Sequence, residues 1–163
     1  MAVNSTKRLF LTSLLLSMSL LGHVSVQADD AISTVKDLRK LKQQAENHGV
    51  PVVLLFTSED CVYCKAIKEN YLLPMSKTAQ YKTKVLFKQL FIDEFAYLRN
   101  GNGELVAGDQ VALKYDVDVT PTILFINADG KELSERIVGI SGFDYFDKLL
   151  EVHIAQAIDT YVQ

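Results

Sequence analysis

Five apolar residues, Val52-Val53-Leu54-Leu55-Phe56, run unbroken toward a short polar loop and then Cys61-Val62-Tyr63-Cys64. No other stretch constrains the fold as strongly. A continuous apolar run of this length, followed by turn residues, reads as a buried strand. The two cysteines are the only ones in 163 residues. Two intervening residues let both sulfurs sit on the first turn of a helix, close enough to open and close a disulfide. At a helix start, unpaired amide groups and the helix dipole stabilise a thiolate, lowering a thiol pKa from about 8.5 into the range of roughly 3.5–7.5. Strand, loop and C-x-x-C at a helix start together predict a redox site. A purely structural bridge is the competing reading. A four-residue loop restrains the unfolded chain by only about 2 kcal/mol, less than a long-range staple. So local a pair is poor reinforcement and good chemistry.

The first 28 residues read as a signal peptide rather than as part of the fold. Lys7 and Arg8 form a short basic region, the stretch 9–21 is mostly apolar, and Val26-Gln27-Ala28 offers a cleavage site before Asp29-Asp30. The apolar run is about 13 residues, short of the roughly 20 needed to span a bilayer. No cysteine lies near the cleavage site to carry a lipid, and Lys7-Arg8 is not a twin-arginine pair. Export in the unfolded state to a periplasmic or secreted location is expected, with an uncleaved membrane anchor as the alternative. Residues 29–163 then form one domain. Without Lys7 and Arg8, the 17 basic side chains fall to 15 against 20 acidic ones, a net charge near −5. That balance argues against nucleic acid or an anionic membrane as a partner.

Along the mature chain, Ile32, Val35, Leu38, Leu41 and Ala45 recur at roughly helical spacing, predicting a helix over 32–47 that ends at Gly49. Residues 51–57 form the first core strand. A helix opens at Cys61 and runs through Lys65, Ile67 and Tyr71, with Pro74 kinking or ending it. Residues 85–92 supply a second, parallel strand, completing a right-handed βαβ unit. Residues 95–108 read as a surface connection, since Gly101-Asn102-Gly103 and Gly108 match no phosphate-binding glycine pattern. A short helix is expected over 109–115, and strands over 122–127 and 133–139 pair antiparallel about Ala128-Asp129-Gly130. Phe146, Leu149, Leu150, Ile154, Ala157, Ile158 and Tyr161 define the inner face of a last helix. The expected architecture is α/β, a central mixed sheet flanked by helices.

That order, with C-x-x-C after the first core strand and Thr120-Pro121 opening a later one, resembles the thioredoxin fold. The segments carrying the resemblance are Phe56-Thr57-Ser58-Glu59-Asp60-Cys61-Val62-Tyr63-Cys64, Tyr115-Asp116-Val117-Asp118-Val119-Thr120-Pro121-Thr122, Gly130-Lys131-Glu132-Leu133 and Gly139. Within the superfamily the chain is most similar to exported thioredoxin-related proteins, including those associated with periplasmic sulfur oxidation. The resemblance implies a cis peptide bond before Pro121 and a Thr120 backbone able to pair with an extended substrate segment. Two departures stand out. Thioredoxins proper carry a buried aspartate six residues before the first cysteine, where this chain has Leu55, and a tryptophan just before that cysteine, where it has Asp60. The first departure leaves Glu59, Lys68 or a water to assist proton transfer at Cys64. Tyr63 and Lys65 resemble glutaredoxin residues, but the glycine pair of a glutathione site is missing, so glutathione specificity is not expected.

The expected chemistry is a thiol–disulfide exchange in which Cys61 attacks as the thiolate and the more buried Cys64 resolves the mixed disulfide. Tyr63, Thr120 and Pro121 are the expected substrate contacts. No cofactor or metal is called for. The implied partners are a disulfide-containing protein or small thiol substrate and a membrane electron donor, with the protein a monomer. The rival readings are a thiol oxidase working in the opposite direction and a non-catalytic binder of protein or soft metal. His48 and His153 are the histidines a metal site would draw on, but each reads better as a surface or packed imidazole. Glu59 and Asp60 oppose a thiolate at Cys61, since like charges raise an acid's pKa, while Lys65 partly offsets them. A less stabilised thiolate makes a less oxidising couple, favouring a reductase. Replacing both acids (Glu59→Gln, Asp60→Asn) is expected to lower the Cys61 pKa, read by thiolate absorbance. An unchanged titration would remove the electrostatic argument for direction.

Overall fold

The computed structural model describes residues 32–140 and 142–163, so the expected signal peptide lies outside the described residues. The sheet is built around β2 (Val52–Thr57), every residue of which is buried. On one side β2 pairs in parallel with β3 (Leu86–Phe91), from Val52↔Leu86 to Thr57↔Phe91. On the other it pairs antiparallel with β6 (Thr122–Ile126). Two-residue strands close the edges, β1 (Ser33–Thr34) beside β3 and β7 (Ile137–Val138) beside β6, giving the order β1-β3-β2-β6-β7.

Alternation along the strands divides the core in two. Val53, Leu55, Ile123 and Phe125 meet α2 (Val62–Ile67) and α5 (Phe146–Tyr161), packing with Ile67, Phe146, Leu150 and Ile154. Val52, Leu54, Phe56, Leu124 and Ile126 meet the other layer, with Leu41 and Ala45 of α1 (Leu38–His48) and Val111 and Ala112 of α4 (Gly108–Lys114). Burial on both faces explains why the strand reads as an unbroken apolar run rather than an alternating one.

Four local expectations are corrected. The first helix begins at Leu38, not near residue 32. Asp37 caps it, accepting a bond from the Arg39 amide, while Ser33 and Thr34 pair with Lys88 and Gln89 as an edge strand. Ile32 and Val35 are buried as expected, but from an extended segment. The expected connection over 95–108 is a hairpin of β4 (Tyr97–Arg99) and β5 (Leu105–Ala107), with Gly101-Asn102-Gly103 in its turn. Asn100, 4% exposed, organises that turn by accepting the amides of Asn102 and Glu104. Strand pairing over 133–139 is confined to β7, with one isolated bridge, Ile126↔Glu132, just before that range. Leu149 lies outside the core at 41% exposure. The helix after Cys64 continues past Pro74 rather than ending there. A π-helical turn over Lys68–Leu72 runs without a break into α3 (Leu73–Lys77), and this change of hydrogen-bond register accommodates Pro74, which has no N–H to donate.

Gly108 starts α4 against β3, and an added Cβ would overlap the Phe91 carbonyl oxygen. Backbone atoms cannot yield as a side-chain tip can. Gly108→Ala is therefore expected to lower stability by about 3 kcal/mol, measured as a shift of the urea midpoint at constant slope. Asp37 generates a pH dependence. Its hydrogen bond from the Arg39 guanidinium holds its carboxyl down at about 2, against an ordinary 3.8. A depressed folded pKa contributes stability above the unfolded value, and that stability is lost as pH falls from about 4 toward 2. Asp37→Asn is expected to flatten the pH dependence of the melting temperature in that window.

Candidate redox site

Parallel strands β2 and β3 end together at Thr57↔Phe91, so the loops that leave them are neighbours. The first carries Ser58, Glu59 and Asp60 into the cysteine motif. The second carries Asp93, whose carboxylate accepts the Glu59 amide at 3.2–3.3 Å. The Cys61 amide donates to the Ser58 carbonyl at 3.3 Å, closing the turn. Cys61 is the N-cap of α2, with extended backbone angles, and its sulfur accepts the Cys64 amide at 3.1 Å. A sulfur thus occupies the position of the usual capping oxygen, satisfying one orphan N–H of the helix start.

Cys61 and Cys64 are joined in a disulfide with Cα atoms 5.2 Å apart. The two sulfurs differ in access. Cys61 is partly exposed, whereas Cys64 is 1% exposed and faces the layer beneath α2. Glu59, Asp60 and Lys65 are exposed around them. At the same end of the sheet, just before β6, lies the Thr120–Pro121 segment, whose peptide bond is cis. The Thr120 hydroxyl lies 3.2 Å from the Ser58 hydroxyl, tying that segment to the cysteine loop. The Pro121 carbonyl accepts the Gly139 amide at 2.8 Å. The Thr120 amide and carbonyl take no partner among the described residues.

Tyr63 lies at the surface, 57% exposed, with its ring 6.4 Å from that of Phe143. Phe143 stacks on Tyr71, whose ring meets Phe146 edge-on at 5.1 Å, and the Tyr71 hydroxyl donates to the Phe143 carbonyl. An aromatic row therefore runs from the cysteine motif into the core.

Cys61, Cys64, Tyr63, Thr120 and Pro121 all belong to this one end of the sheet. The histidines do not. His48 closes α1 at the surface, and His153 stacks on Phe125 while its Nδ1 lies 2.9 Å from the Ser134 hydroxyl. Among the described residues no group of three or more His, Cys, Asp or Glu side chains could hold a metal ion, and no helix is long and apolar enough to cross a membrane. Sequence reasoning missed Asp93 and Phe143 as site residues. Asp93 had a usable signal, since it follows a strand predicted parallel to β2 and must emerge at the same edge. Phe143 had none beyond its hydrophobicity.

A family model described as a thioredoxin-like domain matches residues 38–154, and the chain belongs to that family. Among solved structures it is similar to a thioredoxin of Malassezia sympodialis, at 22% identity over 78% of this chain and 93% of that one, with a TM-score of 0.54. A thioredoxin of Fasciola hepatica is similar at 21% identity over 77% and 99%, TM-score 0.55. Thioredoxin NaTrxh of Nicotiana alata shares 22% identity over 80% and 98%, TM-score 0.52. Likeness at such identities establishes the fold. No curated protein matches the chain in sequence. A C-x-x-C disulfide in a thioredoxin-like domain supports thiol–disulfide oxidoreductase chemistry in general.

Proposed function

We propose that this protein is an exported reductase of protein or small-molecule disulfides, cycling between a Cys61/Cys64 dithiol and the disulfide. The observation that carries the reading is the unequal access of two linked sulfurs at one helix start. The partly exposed sulfur can meet a substrate, and the buried one can only meet its neighbour. In the reduced protein the Cys61 thiolate attacks a substrate disulfide, forming a mixed disulfide and releasing one substrate thiol. Cys64, as the thiolate, then attacks Cys61. The internal bond forms, the second substrate thiol leaves, and two electrons have passed to the substrate.

The unpaired Thr120 amide and carbonyl support docking of an extended segment by strand addition across Cys61. Tyr63, between the two cysteines in sequence, supplies an exposed aromatic face backed by Phe143. The acidic side chains Glu59 and Asp60 favour the reducing direction, because they disfavour a thiolate at Cys61. Export, argued from residues 1–28, places the protein where its thiols become oxidised, so continued reduction calls for a membrane electron donor. The protein acts as a monomer in this reading.

The reduction potential of the pair, equilibrated against glutathione or dithiothreitol buffers, tests the direction. About 30 mV changes the equilibrium constant tenfold for a two-electron couple. A value near −270 mV, that of thioredoxin, is expected for a reductase, whereas one near −120 mV would mark an oxidant and overturn the proposed direction.

A further inference from the structure

Resolution of a mixed disulfide requires a thiolate at Cys64, yet that residue is 1% exposed. Burial in apolar surroundings disfavours the charged form of a thiol. Something must favour it. The sheet beneath offers no charge, because Leu55 is fully buried and its neighbour across the strands, Gln89, is a neutral amide donating to the Thr34 hydroxyl at 2.9 Å. Thr57 and Phe91, the next residues on that face, are also neutral.

A cavity of about 140 Å³ lies beside the cysteine pair, bounded by Cys64, Lys68, Thr57, Gln89 and Phe91. The charged groups reaching it are Glu59 from the loop, Lys65 from α2, and Lys68 and Glu69 from the π-helical turn. Asp93, from the loop after β3, holds the Glu59 amide nearby. Of the groups that reach the cavity, Glu59, Lys65 and Glu69 are exposed, and Lys68 alone is half-buried. Lys68 follows Cys64 by one helical turn, and its amide donates to the Cys64 carbonyl. Helical side chains lean toward the N-terminus, so the Lys68 stem crosses the turn that carries Cys64. The Lys68 ammonium enters no salt bridge with the described residues.

We propose that Lys68 is the positioning residue of the resolving step, holding its ammonium at the cavity to stabilise the Cys64 thiolate. The proposal rests on the dithiol cycle described above and adds the group that makes its second half feasible. The Cys64 S–H bond breaks, with the proton passing through the cavity to solvent. The sulfur's electron pair forms the bond to Cys61. The Cys61–substrate bond then breaks toward the substrate sulfur, which takes up a proton from solvent. No further oxidant or reductant is required.

The test isolates Cys64 by Cys61→Ser and follows its thiolate absorbance at 240 nm against pH. Adding Lys68→Met is expected to raise the Cys64 pKa by about one unit, and Lys68→Arg to restore most of the shift, since an opposite charge within reach moves a pKa by about 1–3 units. In the chain with both cysteines, Lys68→Met is expected to slow decay of the mixed disulfide about tenfold at pH below the Cys64 pKa. That difference should vanish at high pH, where Cys64 is ionised in both proteins. A merely structural role for Lys68 would slow the step at every pH. An unchanged Cys64 titration in Lys68→Met, with circular dichroism preserved, would overturn the proposal. The titration needs no substrate, so absence of exchange with any disulfide would refute the dithiol cycle while leaving the Lys68 result readable.

Discussion

Parallel pairing of β2 with β3 is the constraint on which the rest of the molecule depends. It aligns two strand ends at one edge of the sheet, and everything chemical is arranged around that alignment. The loop after Thr57 delivers the cysteines to a helix start, and the loop after Phe91 delivers Asp93 to hold the Glu59 amide in place. Parallel pairing also demands a crossover, and the crossover here is the cysteine-bearing helix itself. Burial of β2 on both faces is thus inseparable from the position of the disulfide.

Much of this was legible from residue order. The apolar run 52–56, the cysteine pair behind it and Thr120-Pro121 later in the chain specify the central strand, the helix start and the segment beside it. What the sequence concealed has identifiable causes. Ile32 and Val35, three residues apart, share a face on a helix but lie on opposite faces of a strand; both are buried here, one in each half of the core, and the Asp37 cap marks where the helix starts. The hairpin over 97–107 was obscured by its glycine-rich turn, because its strands are three residues each and too short to show alternation. Leu149 followed the apolar pattern of its helix yet lies outside the core, which shows that a pattern of spacing marks a stripe but not its width. At the site, contacts between segments distant in sequence were the illegible part. The link from Ser58 to Thr120 spans 62 positions and leaves no local trace.

Replacing an acidic side chain by leucine beneath the cysteine pair changes the electrostatics of the whole layer. With Leu55 and Gln89 on the sheet side, no charged group among the described residues lines the cavity from the sheet, and the charges around it come from the loop and from the helix that carries the buried sulfur. The loop beside Cys61 contributes acids, whereas the helix beyond Cys64 contributes Lys65 and Lys68 together with Glu69. The exposed and the buried sulfur therefore do not share one set of neighbouring charges although only two residues separate them.

The sheet also ends abruptly on both sides. β1 and β7 contribute two residues each, so neither edge presents a long row of unpaired backbone groups. Sheet edges are where chains of this class join one another into aggregates, and very short outer strands are one way proteins avoid it. The open backbone at Thr120 lies instead beside the cis-proline turn, too brief to template a growing stack. Two-residue outer strands thus leave a second copy of the chain little edge on which to pair.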